Sequence, residues 1–190
     1  MITDYTTLTF EQSLAEFDAI ASDARTTFGH LNPAQLNWKP GAEQWSVAQC
    51  LEHLIAANRE FYPAFDAIVR GKKKRSLLER LPVLPGLIGR VMVKSLSPNS
   101  TQKFKAPGSV VPAVSAIDPE IVNHFAAHQR EITGRFRELE SFDLARTIIT
   151  SPFAAVMTYS LLDACRICVA HERRHFAQAV RVMETPGFPA

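Results

Sequence analysis

The sequence predicts an all-α protein, an antiparallel bundle of four long helices interrupted by one long irregular segment. Three observations carry this expectation. Apolar residues recur at close to 3.6-residue spacing over four separate stretches. No run of any length alternates apolar and polar residues as a half-buried strand would. Prolines and glycines collect mainly between the periodic stretches, where they end helices and open turns.

Phe10, Leu14, Phe17, Ile20, Ala21, Ala24 and Phe28 mark the apolar face of a first helix over residues 8–29, closed by Gly29. Asn32 to Gly41 contains two prolines and a glycine and is expected to be a turn without regular structure. Ser46, with Gln49 three residues later, forms a capping box for the second helix. Its stripe of Val47, Leu51, Leu54, Phe61, Phe65 and Ile68 runs to about residue 70, with a kink near Tyr62 imposed by Pro63. The third helix takes Asp118 as N-cap and Pro119 at its first position, then places Ile121, Phe125, His128, Ile132, Phe136 and Leu139 on one face. Ser141 to Pro152 reads as a loop. The last helix is expected from about Thr158 to Glu184, with Pro186-Gly187 as its stop.

With 190 residues, 46% of them apolar and 21% charged, the chain reads as a single domain over 1–190 that needs neither disulfide nor structural metal to bury a core. Composition excludes disordered, collagen-like and disulfide-framework classes, and the net charge of +2 gives no reason to expect nucleic acid as a partner. Cys50, Cys165 and Cys168 are an odd number for secreted disulfides. Met1 to Thr6 lacks the basic and apolar regions of a signal peptide. The most apolar stretch, Leu81 to Val93, contains Pro82, Pro85 and Arg90 and falls short of the ~20 residues a membrane span needs. The expectation is a reduced, cytoplasmic protein with no membrane partner.

Residues 71–116, between the second and third helices, differ from the rest. From Arg70 to Lys105 there are ten Lys or Arg against one acid, Glu79, whereas the remaining chain has eleven basic and eighteen acidic residues. Five prolines (Pro82, Pro85, Pro98, Pro107 and Pro112) break the segment, leaving a short helix candidate at Leu87–Leu96. Read as plain structure it is a solvated, loosely ordered insert. Read functionally it is a lid offering positive charge to an anionic small-molecule substrate.

Chemistry concentrates on the last helix. Its core seam at heptad spacing runs Leu161, Ala164, Cys168, His171, His175, Gln178 and Val182. At about 100° per residue, His171 and His175 lie about 40° apart and one turn apart, so their imidazoles can converge on one ion. Neutral imidazole suits zinc, nickel, iron or manganese. Two polar rings on a seam that should hold Leu or Ile need compensating partners, which a metal would supply. The same spacing recurs at His124 and His128, and core histidines bonded to carbonyls would also satisfy the pattern, so spacing alone does not decide. His53, beside the apolar stripe of the second helix, is the candidate third ligand. Cys165-x-x-Cys168 lies within a helix rather than on the turn a zinc knuckle uses, and reads as core. Trp45 reads as packing at a helix start, and Glu52 and Glu172, next to histidines in sequence, as supports or ion-pair partners.

Two motifs carry a family resemblance. Trp45-Ser46 followed by Glu52-His53-Leu54, preceded by Leu36-x-Trp38-x-Pro40, resembles the second-helix signature of the DinB-like (DinB/YfiT) superfamily. Ala170-His171-Glu172-x-Arg174-His175-x-x-Gln178 resembles its closing signature. The resemblance implies a four-helix bundle of up-down-down-up order, and a metal site in which His53, His171 and His175 match the three ligands. It further implies an open coordination position for a divalent metal and one of two chemistries, favouring the first: a low-molecular-weight thiol cofactor activated for S-transfer or isomerisation, as in the superfamily's bacillithiol and mycothiol transferases, or a water activated for hydrolysis. The basic 71–116 segment is a departure from the common pattern. The partners expected are a small molecule and, as a homodimer, a second copy of the chain. The rival from another class is a non-catalytic helical binding or dimerisation module with incidental histidines.

Overall fold

The computed structural model describes residues 3–81, 83–113 and 116–190; Pro82, one of the prolines of the basic segment, lies outside them. Helix α1 (Phe10–Phe28) opens at Thr9, whose hydroxyl accepts the Gln12 N–H while the Gln12 side chain accepts the Thr9 N–H. The expected turn after it contains a short helix, α2 (Pro33–Asn37). Pro33 does not forbid it, because at the first helical position a proline lacks only an N–H that has no helical partner anyway, and Asn32 and Gln35 cap it reciprocally. Ser46 and Gln49 form the expected capping box of α3 (Val47–Arg59).

The kink expected near Tyr62 is a break. Helix α3 ends at Arg59 and α4 (Tyr62–Val69) restarts with Pro63 in its first turn. Within the basic segment, α5 (Leu84–Leu96) buries Gly89, Val93 and Ser95, so a loosely ordered insert is corrected there to a helix packed on the body. Helix α6 (Ile121–Arg137) starts three residues beyond the expected Asp118 cap. Asp118 instead shapes the preceding turn, its carboxylate accepting the Glu120 N–H and its carbonyl the Ile121 N–H.

The expectation of an entirely helical chain is corrected between α6 and the last helix. Strands β1 (Ile148–Ser151) and β2 (Ala154–Ser160) pair antiparallel, Ile149 opposite Tyr159 and Thr150 opposite Thr158, with a register shift between Thr150 and Ser151. β-branched and aromatic residues (Ile148, Ile149, Thr150, Val156, Thr158, Tyr159) favour this hairpin, while its short strands leave too few residues for alternation to register as a pattern. Helix α7 (Leu161–Met183) therefore starts at Leu161 rather than near Thr158, where the Ser160 hydroxyl accepts the Asp163 N–H at 3.0 Å.

Helix pairing follows from charged and aromatic contacts. Arg166 donates to the Leu8 carbonyl, and Arg173 to Glu16 and Asp23, along the α1–α7 contact. Phe17 stacks on Phe136 between α1 and α6. Arg59 and Asp66 pair with Glu131 and Arg135 of α6. Two buried clusters result. One gathers Phe17, Phe65, Phe136, Ile149 and Tyr159, and the other Ile20, Phe28, Leu51, Phe125 and Ala179. Trp45 and Phe176 pack at the edge of the second cluster, and Trp45 lies against the rings of His53 and His175. No helix among the described residues is long and apolar enough to cross a membrane.

Candidate metal centre

Three imidazoles from two helices meet at one point. His53 projects from the first half of α3, two turns after the Ser46 cap, and His171 and His175 from successive turns of α7. Their ring centroids are 4.6–5.1 Å apart, and one ligand nitrogen from each lies within 4.8 Å of the others. His53 Nε2 is 3.3 Å from His171 Nε2. Two nitrogens each about 2.0–2.1 Å from a shared ion, at angles between right and tetrahedral, sit about 2.8–3.4 Å apart, so the separation of this pair falls within what a shared ion would need.

The second ring nitrogens decide what the first can do. His53 Nδ1 donates to the Val110 carbonyl at 2.8 Å, which assigns the proton to Nδ1 and leaves Nε2 as a bare lone pair directed at the other rings. His175 Nδ1 is buried with no hydrogen-bond partner among the described residues, a polar atom that a bound group could satisfy. Burial holds all three histidines below the ordinary imidazole range. It acts on His53 against the opposing Val110 bond, on His171 together with His175, His53 and Arg174, and on His175, pushed down to about 3, together with His53 and Arg174. Burial and mutual proximity thus disfavour a charged imidazole at this point, and three rings each offering a nitrogen within 4.8 Å of the others form a group that could hold a cation.

Trp45 does more than pack at a helix start. Its indole lies 4.8 Å from the His53 ring and stacks on His175 at 5.6 Å, walling the site on one side. Arg174, between the two α7 histidines, donates to the Ser95 carbonyl at 2.8 Å and to the Gln102 carbonyl, and so ties the basic segment to the helix that carries them. The Val110 carbonyl was invisible as a site group in the sequence, because a backbone carbonyl has no side-chain signature; Arg174 stands in the closing motif, but its tie to the basic segment is set by packing.

Other candidates fall elsewhere. His124 is exposed, whereas His128 faces inward at 2% exposure, so the second spaced pair does not converge. His128 Nε2 lies 3.3 Å from Asn58 Nδ2, which donates to Glu172 Oε1 at 2.6 Å, and Gln129 Nε2 donates to the same oxygen at 3.3 Å. Glu172 is thus the centre of a buried polar network between α3, α6 and α7, and burial pushes its carboxyl up to about 8. Glu52 accepts the Ala113 N–H at 2.7 Å. Cys165 and Cys168 are buried in the core, where burial raises both thiols, and neither belongs to the histidine group.

Comparison with known proteins agrees with this architecture. In a structure titled "YfiT from Bacillus subtilis is a probable metal-dependent hydrolase with an unusual four-helix bundle topology", 92% of the chain superposes on 96% of this one, with a TM-score of 0.57 and 14% identity. A comparison with curated protein sequences finds no match. The family model of the DinB superfamily matches residues 16–179, a span that takes in His53, His171 and His175, all of α3 and α7 as far as Ala179. The chain belongs to the DinB superfamily.

Proposed function

We propose that the chain is a divalent-metal-dependent enzyme acting on a small molecule, with His53, His171 and His175 as the three protein ligands. The observation that carries this reading is the 3.3 Å approach of His53 Nε2 to His171 Nε2, with the His53 proton committed to the Val110 carbonyl on the far side of the ring. A divalent ion held by the three nitrogens supplies Lewis acidity and lowers the pKa of a bound water or thiol toward neutrality. Hydrolysis is the preferred chemistry, supported by the description of the YfiT fold neighbour as a probable metal-dependent hydrolase. Activation of a thiol cofactor uses the same donor set and is the outcome to separate from it.

The surrounding residues have defined tasks in this reading. The Val110 carbonyl holds His53 in one tautomer, Trp45 keeps bulk water from one flank, and Arg174 keeps the basic segment against α7. Residues 71–116 act as a lid whose positive charge attracts an anionic substrate, on a single domain spanning the chain. The contacts of Arg166 with Leu8, Arg173 with Glu16, and Phe17 with Phe136 support the up-down-down-up order of helices.

Elemental analysis of the purified protein tests the reading. About one equivalent of transition metal per chain, retained or restored on reconstitution, is expected; persistent absence of metal would leave the non-catalytic helical module. Ester and amide hydrolysis panels beside conjugation panels with glutathione, bacillithiol and mycothiol then assign water or thiol.

A further inference from the structure

One face of α3 grips one short stretch of the basic segment. Gln49 Nε2 donates to the Ala113 carbonyl at 2.8 Å, Glu52 Oε2 accepts the Ala113 N–H at 2.7 Å, and His53 Nδ1 donates to the Val110 carbonyl at 2.8 Å. A second grip lies four residues on, where Asn37 accepts the Ile117 N–H at 2.7 Å and donates to the Ile117 carbonyl at 3.0 Å. Val110 belongs to a single 3-10 turn, Gly108–Val110, so its carbonyl is not held by a longer helix or a sheet ladder. Its place against His53 depends on how Ala113 is anchored. The Glu52 bond is the charge-assisted one, the stronger kind.

We infer that Glu52 is a positioning residue for the metal centre. By holding Ala113 it keeps the Val110 carbonyl on His53 Nδ1, and so fixes the tautomer and aim of the His53 ring. The inference rests on His53 being a ligand, as proposed above. Coupling is reciprocal: whatever the anchored stretch adds to metal affinity, the metal returns as order in that stretch.

The test titrates the full chain with zinc alone, in competition with a chromophoric chelator, and follows backbone hydrogen exchange over residues 108–113 with and without zinc. Glu52→Ala is expected to bind zinc about tenfold more weakly, the usual size of a lost outer support. Glu52→Gln, whose amide oxygen still accepts the Ala113 N–H, restores near wild-type affinity. Zinc slows exchange over 108–113 in the wild type and in Glu52→Gln but not in Glu52→Ala, while the metal-free melting temperatures stay the same. Ala113→Pro removes the N–H from the other side and gives the same loss, with no further loss when combined with Glu52→Ala. Wild-type zinc affinity in Glu52→Ala, or exchange over 108–113 that ignores zinc, overturns the inference and leaves the ligand reading intact. A wild type that binds no zinc, or a His53→Ala that binds as the wild type does, overturns the ligand reading and the inference with it.

Discussion

Asn58 Nδ2 donates to Glu172 Oε1 across 2.6 Å in the interior of the bundle, one residue from His171. The carboxyl it holds is fully buried and its other oxygen has no partner among the described residues. Burial outweighs the Asn58 and Gln129 bonds and pushes the group up to about 8, so it is neutral in the folded chain near pH 7.

This gives the metal-free protein a defined pH profile. A carboxyl whose folded pKa lies near 8 and whose ordinary value is 4.5 holds its proton more tightly when folded, so its contribution is fully present below pH 4.5 and is lost as pH rises toward 8. His53, His128, His171 and His175 are all depressed from 6.5, so their contribution is present above pH 6.5 and is lost as pH falls below it. Stability of the metal-free chain, measured by urea unfolding, should therefore peak near pH 6.5. Glu172→Gln should flatten the decline between pH 6.5 and 8 and leave the acid limb in place.

His175→Ala should abolish metal binding at little cost in stability. The ring it removes carries a buried nitrogen without a partner, a defect worth about 1–3 kcal/mol that offsets the lost packing against Trp45. Isothermal titration with zinc and a metal-free melting curve check the two halves. Wholesale unfolding would mark the histidine as structural.

Gly89 is where α5 meets the first turn of α7. A Cβ there would lie 2.5 Å from Asp163 Oδ2 and 2.8 Å from Asp163 Cβ, and the side chain it meets is tied to Ser160 and Arg166. Gly89→Ala should destabilise by about 1–3 kcal/mol, the usual cost of overpacking, read as a lower denaturation midpoint. An unchanged midpoint would mean that α5 is free to move away from α7.

Glu79, the one acid of the basic stretch, is 4% exposed and accepts from Lys73 at 2.5 Å, from the Thr150 hydroxyl at 2.8 Å and from the Ser76 N–H at 3.3 Å. Glu79→Ala leaves Lys73 without its partner and unties the segment from β1. Faster tryptic cleavage after Lys72, Lys73, Lys74 and Arg75 is expected, together with a loss of about 2 kcal/mol in global stability, the scale of hydrogen bonds to a charged group. Cleavage at the wild-type rate would show that the segment is held by α5 alone.

The periodic stripes of Leu14, Phe17 and Ile20, or of Phe125, Ile132 and Phe136, were enough to announce the long helices, because a 3.6-residue repeat is a local property that burial then rewards. The Ser46–Gln49 box and an irregularity at Pro63 were legible for the same reason, since caps and prolines act through neighbours in sequence, although the expected kink is a full break. The hairpin from Ile148 to Ser160 was not, because its stability comes from pairing between strands and from burying Ile149 and Tyr159 in a core assembled by distant helices. The three histidines could be named from their motifs. That His53 Nε2 lies 3.3 Å from His171 Nε2 was decided by how α3 packs on α7, and the Val110 carbonyl behind His53 by how a proline-rich segment is anchored to α3. Sequence determines which residues are available to bond; the convergence of groups more than a hundred residues apart is settled by packing, which no single stretch of chain contains.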